Sequence, residues 1–122
     1  MGLAGWHANA AESYIIIDNQ TGVILDSTKR NEKLQVASLT KVATSLVVLD
    51  WTELEKVDLA TITQVPATAT ENGASSAIGL APGDSLSLRD LIYCALLASD
   101  NIAANTLAAH VGSRISNPQQ LD

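Results

Sequence analysis

A serine and a lysine three positions apart open a strongly apolar segment of the chain. Ser38, Leu39, Thr40 and Lys41 precede apolar residues at helical spacing, which predicts a helix whose first turn carries the Ser38 and Lys41 side chains on one face. Serine is also a favoured N-cap, so capping alone is the structural alternative. However, a cation in the first turn is disfavoured by the helix dipole by roughly 0.3–1 kcal/mol. The pair is better explained as a catalytic pair, in which the neutral amine of Lys41 takes a proton from the nucleophilic hydroxyl of Ser38.

A second polar cluster, Ser99, Asp100 and Asn101, follows roughly sixty residues later, between two further predicted helices. Ser, Asp and Asn are favoured N-cap residues, so this cluster alone does not distinguish a cap from a site. The combination of an SxxK motif on a helix with a downstream SDN motif is a known constellation for serine acyl transfer. Each motif therefore supports the other.

The segments that carry these motifs, Ala37 to Leu49 and Ser75 to Gly112, resemble the D-alanyl-D-alanine carboxypeptidases of the penicillin-binding-protein and serine β-lactamase superfamily. The resemblance covers about Glu12 to Gly112 and includes a hairpin before the SxxK helix and a helix that runs into SDN. It implies a mixed α/β, β-lactamase/transpeptidase-like fold, in which an antiparallel sheet packs beside a helical region.

The resemblance also implies an activity. Members of the family remove the terminal D-Ala from a peptidoglycan stem peptide through an acyl-enzyme, and penicillins acylate the same serine. By this resemblance Ser38 is the acylated residue, Lys41 its base, Ser99 a hydroxyl that relays protons to the leaving group, and Asn101 an amide that binds the substrate backbone. The implied partners are a peptidoglycan peptide or a β-lactam, no cofactor or metal is expected, and the implied location is periplasmic or extracellular.

Two features of the second motif are compatible with more than one subfamily of this superfamily. These carboxypeptidases often have Gly between the Ser and Asn and Asp after them, whereas this chain has Asp100 and Ile102. SDN also occurs in class A β-lactamases. A β-lactamase or esterase on the same scaffold is one alternative, and a non-catalytic penicillin sensor or interaction module is another.

The third motif of the family, Lys-Thr-Gly, does not follow Asn101. Gln20, Thr21 and Gly22 precede the nucleophile and are typical of a hairpin turn. Because the family's catalytic domain is longer than this chain, we expect residues 1–122 to be the N-terminal part of a single penicillin-recognising peptidase domain. The C-terminal half, possibly as a second chain, is then an expected partner, since the family draws its second oxyanion-binding N–H from the third-motif strand.

The pattern before the SxxK motif predicts a β-hairpin. Ser13 to Asp18 and Val23 to Asp26 are rich in Ile and Val and are joined by turn formers that end in Gly22. Nearly continuous apolar runs are typical of strands covered on both faces, so the hairpin is predicted to lie in a sheet flanked by helices.

Helical periodicity predicts the remaining elements. The SxxK helix is expected to be central and buried. From Leu39 the apolar residues follow helical spacing, and further apolar residues extend this surface around the helix. The residues at helical spacing are Val42, Ala43, Leu46 and Val47, and those that extend the surface are Val48 and Leu49. Two possible capping boxes are formed by Thr52 with Glu55 and by Ser87 with Asp90. Residues 61–79 have no clear period, and Pro82 with Gly83 predicts a turn. The helix after Ser87 should bury one face, and a last helix should run from about Ile102 to Val111 and end at Gly112. The residues of that buried face are Leu88, Leu91, Ile92, Ala95 and Leu96.

Composition narrows the class of protein. The 122 residues are 47% hydrophobic and 16% charged, which is typical of a folded chain, and the net charge of −6 argues against nucleic acid as a partner. No apolar run is long enough to span a membrane, and residues 1–12 lack the pattern of a secretion signal. The lone cysteine, Cys94, is predicted to be a buried free thiol, while His7 and His110 are predicted to be surface or core residues without a catalytic role.

Overall fold

The structure, a computed structural model, describes residues 11–116. Helices and short antiparallel strand pairs make up the described chain, which confirms the predicted mixed α/β class. The chain divides into two compact units at the boundary between Gln35 and Val36. No helix of the described part is long and apolar enough to cross a membrane.

The first unit contains the predicted hairpin. Strands β1 (Tyr14–Ile17) and β2 (Ile24–Thr28) pair in antiparallel orientation, with a register shift between Ile16 and Ile17. Asp18 orders the connecting turn, because its carboxylate accepts the backbone N–H groups of Gln20 and Thr21 at 2.8 and 3.2 Å. Gly22 closes the turn at φ +72°, a conformation that favours glycine.

The predicted burial of both hairpin faces is wrong for the described residues. The side chains of Tyr14, Ile15, Ile16 and Ile17 are between 40% and 50% exposed. The physical reason is that β1 and β2 form a sheet of only two strands, and such a ribbon has no second layer to cover either face.

The second unit is helical with one small strand pair. Helix α1 (Leu39–Leu54) is followed by strand β3 (Ile62–Gln64), a 3₁₀ segment (Ala67–Gly73), strand β4 (Ser85–Ser87) and helices α2 (Leu88–Leu97) and α3 (Asn101–Ser116). β3 and β4 pair in antiparallel orientation, so residues 61–79 are more regular than the sequence predicted. The three helices pack on one another around a common core. Its buried members are Val48, Trp51, Leu88, Leu91, Ile92, Ala95, Ala103, Ala104, Leu107 and Val111.

The predicted buried face of α1 is wrong. Val42, Leu46 and Val47 are 47%, 56% and 54% exposed, and Leu39 and Ala43 are exposed as well. Val48 is buried as predicted, but the arc that packs against α2 and α3 is completed by Ser45, Trp51 and Thr52. Apolar residues surround most of this helix, so periodicity could not decide which arc the neighbouring helices would cover.

The first of the two predicted capping boxes does not exist. Thr52 lies in the last turns of α1, where its hydroxyl donates to the carbonyl oxygen of Leu49 at 2.8 Å, and no helix begins there. Threonine within a helix satisfies its hydroxyl in this way, so its presence does not by itself mark a helix start.

The second capping box is confirmed at the start of α2. The Ser87 hydroxyl accepts the Asp90 N–H at 3.0 Å, and Leu88, Leu91, Ile92 and Ala95 are buried as predicted, although Leu96 is 44% exposed. The predicted turn at Pro82 and Gly83 is also confirmed, with Gly83 at φ +95° and Asp84 N–H donating to the Ala81 carbonyl at 3.1 Å.

The predicted end of the last helix is wrong. Helix α3 passes through Gly112 and ends at Ser116. Gly112 does not have the positive φ of a C-terminal cap, since the positive-φ glycines among residues 11–116 are Gly22, Gly73, Gly79 and Gly83.

Candidate active site

Ser38 occupies the N-terminal boundary of α1 but does not cap the helix with its side chain. Its hydroxyl makes no capping hydrogen bond, although the residue lies at the N-cap position with helical φ and ψ of −65° and −12°. The preceding residue, Ala37, has a φ of +42°, an unfavourable conformation for a residue with a Cβ. The capping alternative therefore does not account for Ser38, whose hydroxyl is left for other contacts.

The side chains of Ser38, Lys41 and Ser99 meet at one point. The Lys41 Nζ lies 3.3 Å from the Ser38 Oγ and 3.1 Å from the Ser99 Oγ. The two hydroxyl oxygens are 2.9 Å apart, although the residues are 61 positions apart in the chain. The structure thus brings together the three residues to which the resemblance gives roles in proton transfer, and all three pairs are close enough for it.

No carboxylate forms an ion pair with Lys41 within residues 11–116, where both salt bridges belong to Lys29. The Lys41 Nζ thus has hydroxyl groups rather than a carboxylate as its polar neighbours. A lysine in the first turn of a helix and without a carboxylate partner contributes little to stability. Its position suits an exchange of protons with Ser38 and Ser99.

Ser99 is directed toward this point by the junction between α2 and α3. The residue has a left-handed φ of +54°, and the N–H groups of its neighbours Ala98 and Asp100 both donate to the Cys94 carbonyl, at 3.2 and 3.1 Å. The chain therefore reverses tightly at Ser99. Without a glycine, such a conformation has to be held by the surrounding contacts.

Asn101 is the first residue of α3, and its side chain is exposed. Together with Lys41 it lines a surface depression of about 180 Å³, whose other walls come from α1 and α3. Neither Ser38 nor Ser99 lines this depression, so the structure brings Asn101 near Lys41 but shows no contact of its amide with the two serines.

Sequence reasoning gave no role to Asp100, which is the most connected side chain of the SDN turn. The residue is fully buried. One carboxylate oxygen accepts the Ser76 hydroxyl at 2.5 Å and the N–H groups of Ala77 and Ile78 at 2.6 and 3.2 Å, while the other accepts the Ala103 N–H at 2.9 Å. Burial by itself raises the pKa of Asp100, but these hydrogen bonds outweigh it and hold the pKa below its usual range.

The remaining titratable candidates lie away from the cluster or in the core. Cys94 is partly rather than fully buried, and burial raises the pKa of its thiol. His110 is a core residue, as one of the predicted options had it: burial lowers its pKa to about 4, and its Nδ1 lies 2.9 Å from the Thr63 hydroxyl. His7 lies outside the described residues. No group of three or more His, Cys, Asp or Glu residues suited to a metal ion occurs between residues 11 and 116.

The cluster has the parts that serine acyl transfer requires, namely a hydroxyl nucleophile, an amine that can act as its base and a second hydroxyl in contact with both. Comparison with known proteins gives the same class. Residues 4–116 match the D-alanyl-D-alanine carboxypeptidase family, peptidase S11, and the chain belongs to that family.

Similar proteins include D-alanyl-D-alanine carboxypeptidases, both in sequence and in structure. The D-alanyl-D-alanine carboxypeptidase DacC of Escherichia coli is 38% identical over 106 residues, which are 83% of this chain and 26% of DacC. The crystal structure of the carboxypeptidase DacD from Francisella tularensis superposes with a TM-score of 0.73 at 26% identity, over 83% of this chain and 24% of DacD. Penicillin binding protein 5 from Haemophilus influenzae gives a TM-score of 0.72 at 28% identity, over 84% of this chain and 30% of that protein. The chain thus spans about a quarter to a third of the length of these proteins.

Proposed function

We propose that this chain provides the nucleophile and proton-transfer groups of a serine-type D-Ala-D-Ala carboxypeptidase that acts on peptidoglycan stem peptides. One observation carries the proposal: three side chains from two distant segments, Ser38, Lys41 and Ser99, meet within 3.3 Å of one another. Helix capping would require none of these contacts. Membership of the carboxypeptidase family supports the same reaction.

The first step is acylation of Ser38. The neutral amine of Lys41 accepts the Ser38 hydroxyl proton over 3.3 Å, and the Ser38 Oγ attacks the carbonyl carbon of the penultimate D-Ala. A new C–O bond forms, and the carbonyl electron pair moves onto the oxygen. The backbone N–H of Ser38 has no acceptor among residues 11–116, so it is free to donate to this oxyanion.

The second step releases the terminal D-Ala. The proton held by Lys41 passes through the Ser99 hydroxyl, 3.1 Å away, to the leaving nitrogen as the C–N bond breaks. Water then attacks the ester, with the same groups accepting its proton and returning one to the Ser38 oxygen. Asn101, which lines a depression together with Lys41, hydrogen-bonds the peptide backbone of the substrate in this scheme.

A complete site needs groups that this sequence does not contain. No Lys-Thr-Gly motif follows Asn101, so the second oxyanion donor and the contacts to the substrate carboxylate must come from another segment. The exposed apolar residues of β1 and α1 support such a complement, since they form surfaces that a further part of the same domain would bury. A site whose substrate is peptidoglycan would operate in the periplasm or outside the cell.

Covalent labelling tests the proposal in the complete protein that carries this chain. A labelled penicillin should add one acyl group to Ser38, located by mass spectrometry, and a peptide ending in D-Ala-D-Ala should release D-Ala. Ser38→Ala should abolish both reactions, whereas Ser113→Ala should abolish neither, since that hydroxyl bonds only within α3.

The three candidate functions give different results in this experiment. A long-lived adduct together with release of D-Ala supports the carboxypeptidase. Rapid turnover of the penicillin would favour a β-lactamase or esterase on the same scaffold. A stable adduct without any release of D-Ala would favour the non-catalytic penicillin sensor, and absence of an adduct on Ser38 would contradict the proposed site altogether.

A further inference from the structure

The fully buried Asp100 links three segments near the serine–lysine cluster. Its carboxylate accepts hydrogen bonds from the loop at Ser76, Ala77 and Ile78 and from Ala103 in the first turn of α3. Its own N–H donates to the Cys94 carbonyl near the end of α2. Asp100 thus connects a loop with the ends of two helices.

The loop is in turn ordered through Ser76. While the Ser76 hydroxyl donates to Asp100, its oxygen accepts the N–H of Leu80 at 2.7 Å and that of Ile78 at 3.3 Å. Loss of the Asp100 carboxylate would therefore loosen the whole turn from Ser76 to Leu80, in addition to removing the cap of α3.

The residues on either side of Asp100 are two of the proposed site residues. Ser99 has a φ of +54°, a strained conformation that its own side chain does not stabilise through any local bond, since its hydroxyl contacts Ser38 and Lys41. The contacts of Asp100 therefore hold the junction in which Ser99 is strained and from which Asn101 begins α3.

From this geometry we infer that Asp100 is a positioning residue for the acylation reaction, acting through Ser99 by tying the 76–80 loop to the start of α3. It touches neither the substrate nor the Ser38 nucleophile. The inference rests on the proposed acyl-enzyme function and adds to it the group that holds the relay hydroxyl in place.

Asp100→Asn gives the sharpest test, because it keeps the shape of the side chain and removes half of its acceptors. One side of the carboxylate faces N–H and O–H donors of the loop and the other faces the Ala103 N–H, so the amide nitrogen meets a donor in either orientation. We expect acylation by a labelled penicillin to slow by about ten- to a hundredfold, as for other small displacements of catalytic groups. Ser76→Ala removes one contact only and should slow the reaction less.

A double-mutant cycle separates positioning from stability. In a Ser99→Ala background, Asp100→Asn should slow acylation by less than about threefold, because the group it positions is already absent. The fall in Tm caused by Asp100→Asn should be the same in both backgrounds. Ser87→Ala, which removes the N-cap of α2 at a site without contact to Ser99, should lower Tm but leave acylation near the parent rate.

Amide hydrogen exchange provides a readout that does not depend on catalysis. In Asp100→Asn the amides of Ala77, Ile78 and Ala103 should all exchange faster, and in Ser76→Ala the effect should centre on the loop.

Unchanged exchange at these amides would overturn the inference. The inference would also be overturned if Asp100→Asn acylated at the parent rate while Ser99→Ala acylated slowly. Equal slowing by Asp100→Asn in the parent and in the Ser99→Ala background would overturn it as well. A parent protein that is never acylated on Ser38 would instead contradict the proposed function, and the exchange measurements would still decide whether Asp100 ties the loop to α3.

Discussion

At the scale of single residues, the contacts of Lys41 raise a choice between two roles. Lys41 can be the base that accepts the Ser38 proton, or a group that acts only through its charge. Its Nζ is within hydrogen-bonding distance of two hydroxyl oxygens, and no carboxylate of residues 11–116 pairs with it. A base must be neutral to accept the Ser38 proton, whereas an electrostatic group only has to keep its charge. The two roles therefore predict different outcomes for a substitution that keeps charge and removes basicity.

Lys41→Arg makes that distinction. A guanidinium stays protonated at any working pH, so we expect acylation of Ser38 to fall by at least about a hundredfold, within the range that general acid–base catalysis contributes. The measurement is the second-order rate of labelling by a penicillin. Lys56→Arg, at an exposed position after α1, is the matched control and should label at the parent rate. A Lys41→Arg variant that labels as fast as the parent would mean that Lys41 is not the base.

At the scale of secondary-structure elements, α3 offers a comparison of two glycines. Gly112 lies within the helix without a positive φ, whereas Gly83 lies in a turn at φ +95°. Nothing lies within 4 Å of the position that a Cβ would take at either residue. The two sites thus differ in backbone conformation and not in available space.

Replacement by alanine should have opposite effects at these two glycines. Gly112→Ala should raise the free energy of unfolding by about 0.5–1 kcal/mol, because alanine is the better helix former. Gly83→Ala should lower it by about 1 kcal/mol or more, because alanine is strained at positive φ. Urea denaturation of the two variants beside the parent provides the measurement. Destabilisation by Gly112→Ala would indicate that another segment of the protein covers this part of α3.

The packing of α3 around His110 predicts a dependence of stability on pH. The His110 ring packs edge-on against Trp51, contacts the Thr63 hydroxyl, and has a buried Nε2 without a partner among the described residues. Burial, followed by the nearby Arg114 guanidinium, lowers its pKa from 6.5 to about 4. The folded state thus binds fewer protons at His110 than the unfolded state does between these two pH values.

Stability from this residue is therefore complete above about pH 6.5 and decreases as the pH falls toward about 4. We expect a loss of about 2 kcal/mol in the free energy of unfolding between pH 7.5 and pH 5. Denaturant unfolding of the parent and of His110→Gln at pH 7.5 and at pH 5 isolates the contribution. Equal pH dependence in both proteins would contradict it, since the carboxylates that also titrate near pH 4 to 5 are common to the two.

At the scale of the whole molecule, we predict that residues 1–122 do not form a working enzyme by themselves. The apolar face of α1 at Val42, Leu46 and Val47 is about half exposed, and so is every residue of β1. Half of the oxyanion-binding groups expected of the family are also absent from this sequence. Loss of one such donor alone typically slows a reaction by about a hundred- to a thousandfold.

A complementation experiment tests this prediction. The 122-residue chain alone should be labelled on Ser38 by a penicillin only slowly, and addition of a segment that carries the third motif of the family should raise the labelling rate at least about a hundredfold. The same segment carrying a mutated Lys-Thr-Gly motif is the control, and it should restore stability without restoring the rate. Efficient labelling of Ser38 in the isolated monomer would overturn the prediction.

The sequence by itself determined the local features and the candidate site. The hairpin turn at Gly22, the capping box at Ser87 and the Pro82–Gly83 turn depend on interactions within a few residues, and all three were predicted correctly. The candidate site residues were also proposed from sequence, because SxxK and SDN in this order resemble a known family. Three of them lie together in the structure, while the catalytic roles of all of them stay predictions.

Tertiary structure decided what depends on neighbours distant in the chain. Periodicity chose the wrong arc of α1, since Val42, Leu46 and Val47 are as apolar as a core face, and only the placement of α2 and α3 directs Trp51 inward instead. The helix end at Gly112 was wrong for a related reason: glycine permits a C-terminal cap but does not require one. The importance of Asp100 arises from a loop 22 to 24 residues earlier in the chain, and no local pattern indicates that its carboxylate is buried among the donors of that loop. Spacing can place side chains on one face of a helix, but which groups meet across the fold is fixed only when the elements pack.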